Sequence, residues 1–480
     1  MSLVSISFLF FLLPAALVCF YAVPAGKNAL RGAVLLALSL LFVFLVQPKA
    51  LAAALLTCAV CYACGAGISR AKTQAARRAW CVLGIVLCVG ALCVYKYAAL
   101  LASVFGVTIT LPGAPAGVSF FTFLAVSYLV DVARGACAAE QNPAKLALYF
   151  TAFPKFLQGP LTRYGALRDA LFPARPGWND AAQGAERICI GLGKKLLLAT
   201  AAQGAAERLL DGSAVSCPAA WLGAACYALQ IYFDFSGYTD MAIGLGALFG
   251  LNLPENFNDP YCARSITDFW RRWHMTLSQW FRDYIYIPLG GSRRGRPRQI
   301  LNLLIVWGLT GLWHGASWNF MLWGLYYGCL LVWEKTRLLP ALHNGPDPAC
   351  HPHLAQLCTF GKSLFGHVYC TLITVFGFAI FYFDKHFFAN MGTLFGIGTI
   401  GFTDLFTNAI FASHIWLFIA AVILACPVYP AIDRLLHREG HTIPYTAERI
   451  AKTVLALLFL GVSTVQLVGN TYSPFLYFRF

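Results

Sequence analysis

The sequence predicts an all-α, polytopic membrane protein, and three observations support that fold class. The chain of 480 residues is 59% hydrophobic and 11% charged, whereas soluble domains are about 25% charged. Its mean hydropathy is +0.66. Apolar runs long enough to cross a bilayer recur along the whole sequence. A soluble enzyme with one anchor is excluded, because no polar stretch is long enough to form a second domain.

The apolar runs predict 11–13 transmembrane helices. The candidate spans are 7–23, 30–46, 50–68, 80–103, 117–133, 145–161, 187–204, 219–249, 300–333, 364–388, 411–430 and 450–469. We expect a single integral membrane domain over 1–480. It comprises N-terminal helices over 1–145, a motif-rich core over 146–335 and C-terminal helices over 364–480. Residues 339–363 are polar and rich in Pro and His, which predicts a solvated loop.

The net charge of +15 indicates membrane topology and not nucleic-acid binding. Basic residues follow the first, third and fifth candidate helices, whereas 101–116 carries no charge. This alternation predicts a non-cytoplasmic N-terminus, basic loops facing the cytoplasm, and a multi-pass protein of the cytoplasmic (inner) membrane. Lipids with anionic headgroups are the expected partners of these loops. The first apolar run lacks the features of a cleaved signal peptide, so we expect it to be retained.

The 17 cysteines do not predict a metal site. Cys58, Cys61 and Cys64 have a C-x-x-C-x-x-C spacing, but they lie in an apolar helix without His or acidic neighbours. Small buried thiols are the expected state, and we expect no bound metal.

A basic segment, 264–298, interrupts the pattern of apolar helices. It contains eight Arg and two Asp, which predicts a cytoplasmic location. Aromatic and apolar residues recur on one helical face, with a second polar stripe beside it. The face is Trp270, His274, Leu277 and Phe281; the stripe is Arg271, Met275, Ser278 and Arg282. One amphipathic, interfacial or re-entrant helix is therefore expected.

A single histidine, His314, stands in a stretch of 35 residues, 299–333, that contains no Asp, Glu, Lys or Arg. If the span begins near Ile300, a rise of about 1.5 Å per residue carries His314 about 21 Å into an apolar core about 30 Å thick. An imidazole at that depth is a functional-site candidate and a natural proton acceptor for acyl transfer. The alternative is a histidine hydrogen-bonded within a helix bundle. Three nearby glycines predict an interrupted or closely approached helix: Gly308, Gly311 and Gly315.

Several strings of residues resemble one family. They are QGPLTRY at 158–164, YFDFSGYTDM at 232–241, NFNDPY at 256–261, DFWRRWHMTLS at 268–278, RDYIYIPLGG at 282–291, GLWHG at 311–315 and SPFLYF at 473–478. Together they resemble the membrane-bound O-acyltransferase (MBOAT) family, in the branch of the alginate O-acetyltransferase membrane subunit. The resemblance covers nearly the whole chain and is densest from 150 to 330.

The resemblance implies a helical membrane fold around a central tunnel for the acyl group. The family's essential histidine corresponds to His314, as general base or as the group that holds the acceptor hydroxyl. The second characteristic histidine corresponds to His274, facing donor entry. Tryptophan N–H groups, with Trp313 beside the base, or Asn319 would stabilise the oxyanion. Ser236 and Gln158 belong to the supporting motifs.

The charged residues of these motifs have two readings. Arg271, Arg272 and Arg282 either receive the phosphates of the acyl donor or serve as a topology signal and lipid anchor. For the acidic residues we expect ion pairs with nearby arginines in preference to catalysis. These residues are Asp234, Asp240 and Asp268.

The expected function is O-acetyl transfer from a cytoplasmic thioester, acetyl-CoA or another acyl thioester such as a carrier protein, to hydroxyls of an exported or cell-wall polysaccharide. No tightly bound cofactor is expected, and a separate extracytoplasmic, esterase-like protein is an expected partner. Two alternatives are D-alanyl transfer to teichoic acid and a transporter or flippase with a pore histidine. No internal duplication supports the transporter.

Overall fold

A computed structural model describes residues 1–107, 113–211, 216–338, 352–399, 401, 404–425 and 445–469. Within these ranges the regular elements are helices, and no strand is present. Six helices there have the length and apolar composition needed to cross a membrane: Asn28–Val46, Pro48–Arg70, Gln74–Ala98, Thr359–Tyr382, Leu405–Leu424 and Glu448–Gly469. The all-α, multi-pass fold class is therefore confirmed.

Residue contacts divide the chain into two compact units. The first contains Met1–Gly193, Gly237–Glu255 and the C-terminal segment from Lys452. The second contains Lys194–Ser236 and Asn256–Ala451.

The first unit is built from helices with short connections. They are α1 (Leu13–Tyr21), α2 (Asn28–Val46), α3 (Pro48–Arg70), α4 (Gln74–Val104), α5 (Val118–Arg134), α6 (Pro143–Thr151), α7 (Tyr164–Leu167) and α8 (Trp178–Gly193). Its core includes edge-to-face phenylalanine pairs: Phe20 and Phe153 each lie about 5 Å from Phe249, with centroid distances of 5.0 and 5.2 Å. Such pairs stabilise a core beyond the area that they bury.

The expected helix over 145–161 is wrong beyond Thr151. Residues 152–163 are irregular although most of them are buried. Pro154 disfavours helical geometry at the preceding residue, and Pro160 cannot donate a helical hydrogen bond. Side chains and carbonyls provide local partners instead: Tyr149 donates its hydroxyl to the Thr162 carbonyl at 3.0 Å.

The second unit begins with a π-helical turn at Lys194–Ala199 and contains most of the sequence motifs. Its helices are α9 (Thr200–Leu210), the first part of α10 (Cys217–Leu248), α11 (Ile266–Arg272), α12 (Met275–Phe281), α13 (Arg296–His314), α14 (Trp318–Trp333), α15 (Pro352–Tyr382), α16 (Phe387–Thr393) and α17 (Leu405–Leu424). The last helix, α18 (Tyr445–Gly469), returns to the first unit from Lys452 onward. The expected loop over 339–363 is wrong from Pro352, where α15 begins, and 339–351 lies outside the described residues.

The expected single span over 300–333 is two helices that pack closely as a hairpin. At Gly311 a side chain would place its Cβ 2.4 Å from the Phe320 carbonyl oxygen, and at Gly324 2.4 Å from the Trp307 carbonyl oxygen. No Cβ fits at such a distance, so both positions require glycine. The expectation of an interrupted and closely approached helix is confirmed.

An aromatic cluster and a buried carboxylate fix α11 against α13 and α14. The Trp270 ring lies 4.7 Å from Trp307 and 4.9 Å from Tyr327, measured between centroids. The fully buried Glu334 carboxylate accepts the backbone N–H groups of Ile266 and Thr267 at 2.6 and 2.7 Å. A carboxylate at the first turn of a helix satisfies donors that have no intrahelical partner.

Replacing Gly311 by Ala will disrupt the hairpin, whereas Gly308→Ala is the matched control on the same helix. At Gly308 the position that a Cβ would occupy has no other atom within 4 Å. Overpacking of the kind expected at Gly311 destabilises by about 1–3 kcal/mol. We expect Gly311→Ala to lower the thermal stability of the detergent-solubilised protein, followed by fluorescence-detected size exclusion after heating. Equal melting of the two variants would contradict the close helix contact.

Candidate active site

His314 is the last residue of α13, at the point where the helix stops. Gly315 takes an extended conformation, with φ 168° and ψ 174°, and turns the chain toward α14. The imidazole is 5% exposed. Its centroid lies 4.5 Å from Trp313, and the Trp323 and Phe381 rings meet it edge-to-face at 5.0 and 4.9 Å. The base candidate is therefore buried among aromatic side chains.

Asn319 lies on the first turn of α14, five residues after His314. Its amide nitrogen donates to the Phe381 carbonyl at 2.9 Å, which sets the orientation of the amide because a carbonyl only accepts. The other amide atom, Oδ1, is buried and has no hydrogen-bond partner in the described part of the chain. Asn319 thus presents an acceptor that suits a hydroxyl proton better than an oxyanion.

Trp323 follows Asn319 by one helical turn, on the same face of α14. Its indole N–H is buried and meets no acceptor among the described residues. A buried donor without a partner loses hydration without compensation, so such groups call for a functional explanation. Trp323 is therefore a candidate donor for negative charge that develops beside His314.

His274 interrupts the helix that the sequence analysis expected over Trp270 to Phe281. The residue takes a left-handed conformation, with φ 43°, and separates α11 from α12. The expectation of one continuous amphipathic face is therefore wrong. The imidazole is buried, its centroid lies 4.7 Å from Phe235, and burial lowers the pKa of His274 to about 3. His274 is outside the six candidate spans and is neutral at neutral pH.

Trp313 is a neighbour of both histidines. Its ring centroid lies 6.4 Å from the His274 centroid and 4.5 Å from the His314 centroid. The two imidazoles cannot be farther apart than the sum of these distances. The structure thus brings together three residues that the sequence separates by up to 40 positions.

The three arginines of the basic segment have different surroundings. Arg272 pairs with Asp268 at 3.1 Å, one helical turn before it, and Arg282 pairs with Asp283 at 2.8 Å. Arg271 is exposed, and the described residues give it no ion pair. Arg271 is consequently the arginine of this set most available to an external anion.

The expected ion pairs with arginine are found for two of the three aspartates. Asp268 pairs with Arg272, and in the first unit Asp240 pairs with Arg187 at 2.9 Å. Asp234 pairs instead with Lys195, and both side chains are only 5% exposed.

The remaining motif residues are buried. Ser236 is 3% exposed, and its hydroxyl has no partner in the described ranges. Gln158, also 3% exposed, belongs to the irregular segment of the first unit. No group of three His, Cys, Asp or Glu side chains suited to a metal ion occurs in the described part of the chain.

Sequence reasoning missed five residues that shape this region. They are Lys195, Asn256, Trp323, Glu334 and Phe381. The sequence could have indicated Lys195 and Glu334, since each is a charged residue beside an apolar run. The other three are ordinary residues of motifs or apolar helices, and only the folded chain reveals their contacts.

Comparison with known proteins identifies the family. The model of the membrane-bound O-acyltransferase family matches residues 119–338. A probable alginate O-acetylase of Azotobacter vinelandii is 33% identical over 442 residues, covering 86% of this chain and 87% of the relative. The chain belongs to the membrane-bound O-acyltransferase family. It is an O-acyltransferase, and the resemblance drawn from the motifs is confirmed.

Two other relatives are similar over shorter regions. A peptidoglycan O-acetyltransferase of Helicobacter pylori is 34% identical over 299 residues, covering 55% of this chain and 56% of the relative. A teichoic acid D-alanyltransferase of Bacillus subtilis is 30% identical over 233 residues, covering 45% of this chain and 58% of the relative.

Removing the Lys195 ammonium will destabilise the acyltransferase strongly, because Asp234 would remain as a buried charge. Breaking a buried pair on one side costs about 3–5 kcal/mol, whereas an exposed pair contributes about 0–1 kcal/mol. We expect Lys195→Met to lower the melting temperature far more than Arg272→Ala, which breaks a partly exposed pair. Recovery of stability in the Lys195→Met, Asp234→Leu double variant would confirm the cause. Equal melting of the two single variants would contradict it.

Proposed function

We propose that this enzyme transfers an acetyl group from a cytoplasmic acyl thioester to hydroxyls of an exported or cell-wall polysaccharide, and that it works in the cytoplasmic membrane. The thioester is acetyl-CoA or an acyl-carrier protein. The alginate O-acetylase and peptidoglycan O-acetyltransferase relatives support an acetyl group and a polysaccharide acceptor. The D-alanyltransferase relative matches less than half of this chain, which favours acetyl over D-alanyl transfer.

The geometry around His314 carries the proposal. His314 takes the proton of the acceptor hydroxyl while that oxygen attacks the thioester carbonyl carbon. The tetrahedral intermediate then collapses, the carbon–sulfur bond breaks, and the thiolate leaves and takes up the proton. Asn319 accepts a hydrogen bond from a neighbouring hydroxyl of the acceptor sugar, and the Trp323 N–H supports the oxyanion.

The open end and the turn of the α13–α14 hairpin differ in chemistry. This difference supports approach of the donor and of the acceptor from opposite sides of the membrane. The end before α13 carries the arginine-rich turn at 293–298, which suits donor phosphates and cytoplasmic, anionic lipids. At the other end, Ser317 hydrogen-bonds Asp384, and Trp318 is 81% exposed. An exposed indole beside a carboxylate suits a sugar, so we assign polysaccharide approach to this end. An extracytoplasmic, esterase-like partner would receive or direct the acetyl group there.

His314→Ala will abolish acetyl transfer, because a positioned general base contributes about 10²–10⁴-fold to the rate. The measurement is incorporation of labelled acetyl into envelope polysaccharide by membranes that contain equal amounts of enzyme. His414→Ala is the control, since His414 also lies in an apolar helix and binds only its own helix in the described contacts. Wild-type incorporation by the His314→Ala variant would exclude the catalytic assignment.

Arg271→Ala tests whether the basic segment binds donor phosphates or only anchors the protein to lipids. Arg293→Ala is the control. Both side chains are exposed, and both changes remove one positive charge from the same segment. If Arg271 binds donor phosphate, its variant alone will raise the KM for the donor, by about 10-fold for one charge-assisted hydrogen bond. If the arginines act only as a lipid anchor, the two variants will have the same donor KM.

A further inference from the structure

Asn256 is a fully buried residue whose side-chain orientation is determined by its contacts. Its Oδ1 atom accepts the Thr276 backbone N–H at 3.2 Å and the Thr276 hydroxyl at 2.9 Å. Its backbone carbonyl accepts the Met275 N–H at 2.9 Å. A backbone N–H only donates, so the atom that faces Thr276 must be the amide oxygen.

The same oxygen determines the tautomer of His274. His274 Nδ1 lies 3.0 Å from Asn256 Oδ1. This oxygen only accepts, so Nδ1 must carry the hydrogen. In a neutral imidazole the second nitrogen, Nε2, then has a lone pair and no hydrogen. Burial keeps the ring neutral, since the pKa of His274 is lowered to about 3.

The Nε2 lone pair has no donor in the described part of the chain. His274 is 3% exposed, and Nε2 is buried and without a hydrogen bond. Its ring contacts, Phe235 and Trp313, are aromatic side chains. A buried acceptor left unsatisfied in this way is destabilising unless a ligand provides the donor.

We propose that Asn256 is a positioning residue that holds His274 in the Nδ1–H tautomer, so that Nε2 accepts a hydrogen bond from an amide N–H of the pantetheine arm of the acyl donor. The inference rests on the proposed thioester donor. Arg271, which is exposed, lies three residues before His274. Phosphates and pantetheine are joined in one donor molecule, so a basic residue near a neutral acceptor matches both of its parts. His274 itself does not bind phosphate, because it is uncharged.

Two substitutions of His274 test which nitrogen matters. A glutamine places an amide atom near the position of Nε2, whereas an asparagine reproduces only the position of Nδ1. We expect His274→Gln to keep the donor KM within about 10-fold of the wild type and His274→Asn to raise it by about 10–100-fold, the value of one buried hydrogen bond. Equal donor KM values for the two variants would overturn the role of Nε2.

The tautomer is tested directly by nitrogen NMR of the ¹⁵N-histidine-labelled enzyme in lipid nanodiscs, with the His274 signals assigned from their loss in His274→Gln. We expect a protonated Nδ1 and an unprotonated Nε2 in the wild type. Asn256→Asp keeps the acceptor and should keep Nδ1 protonated, whereas Asn256→Ala should give a mixture of tautomers and raise the donor KM. A protonated Nε2 in the wild type would overturn the inference.

The NMR result is independent of the overall function. If membranes with the wild-type enzyme incorporate no labelled acetyl into polysaccharide, the proposed function fails while the tautomer assignment stands. If the tautomer is the opposite one, this inference fails while His314 remains the base.

Discussion

The contact between Gly311 and Gly324 is the constraint on which the candidate active site depends. It allows the backbones of α13 and α14 to approach so closely that even a methyl group would collide with a carbonyl oxygen. Because α14 lies this near, Trp323 reaches the His314 ring at 5.0 Å. Asn319, one helical turn before Trp323, takes its place on the same face. Side-chain packing alone does not fix such a distance, since flexible side chains adjust, whereas two backbones in contact do not.

Hydrogen bonds and ion pairs of buried polar groups also hold the side chains of this region in place. The Glu334 carboxylate, the Lys195–Asp234 pair and the Asn256 oxygen all have their partners within the fold. The exceptions in the described part of the chain include three atoms near the histidines: His274 Nε2, Asn319 Oδ1 and Trp323 Nε1. Polar atoms are expensive to bury unsatisfied, so these three atoms are candidates for ligand contacts.

Sequence alone predicted the membrane fold and the helix interruption near His314, because both depend on local composition, whereas the catalytic role of His314 stays a prediction. A lone imidazole among apolar residues and three nearby glycines are visible without coordinates. The break at His274 was not predictable in this way, since the apolar periodicity continues from Trp270 to Phe281. A left-handed conformation is unfavourable for a residue other than glycine. It is stabilised here by Asn256, which lies 18 positions earlier and shows no periodic signal. The end of α6 at Thr151 was predictable from Pro154, but the apolar run concealed it.

The two histidines lie at opposite ends of their helices, which argues for different roles. His314 is the last residue of α13, a helix of 19 residues, so its ring lies at the helix C-terminus, which carries a partial negative charge. His274 directly precedes the N-terminus of α12, and its burial lowers the pKa of the ring. In the proposed mechanism one ring gains a proton during the reaction, and the other remains neutral and accepts a hydrogen bond. Trp313, in contact with both rings, places them in one region of the second unit.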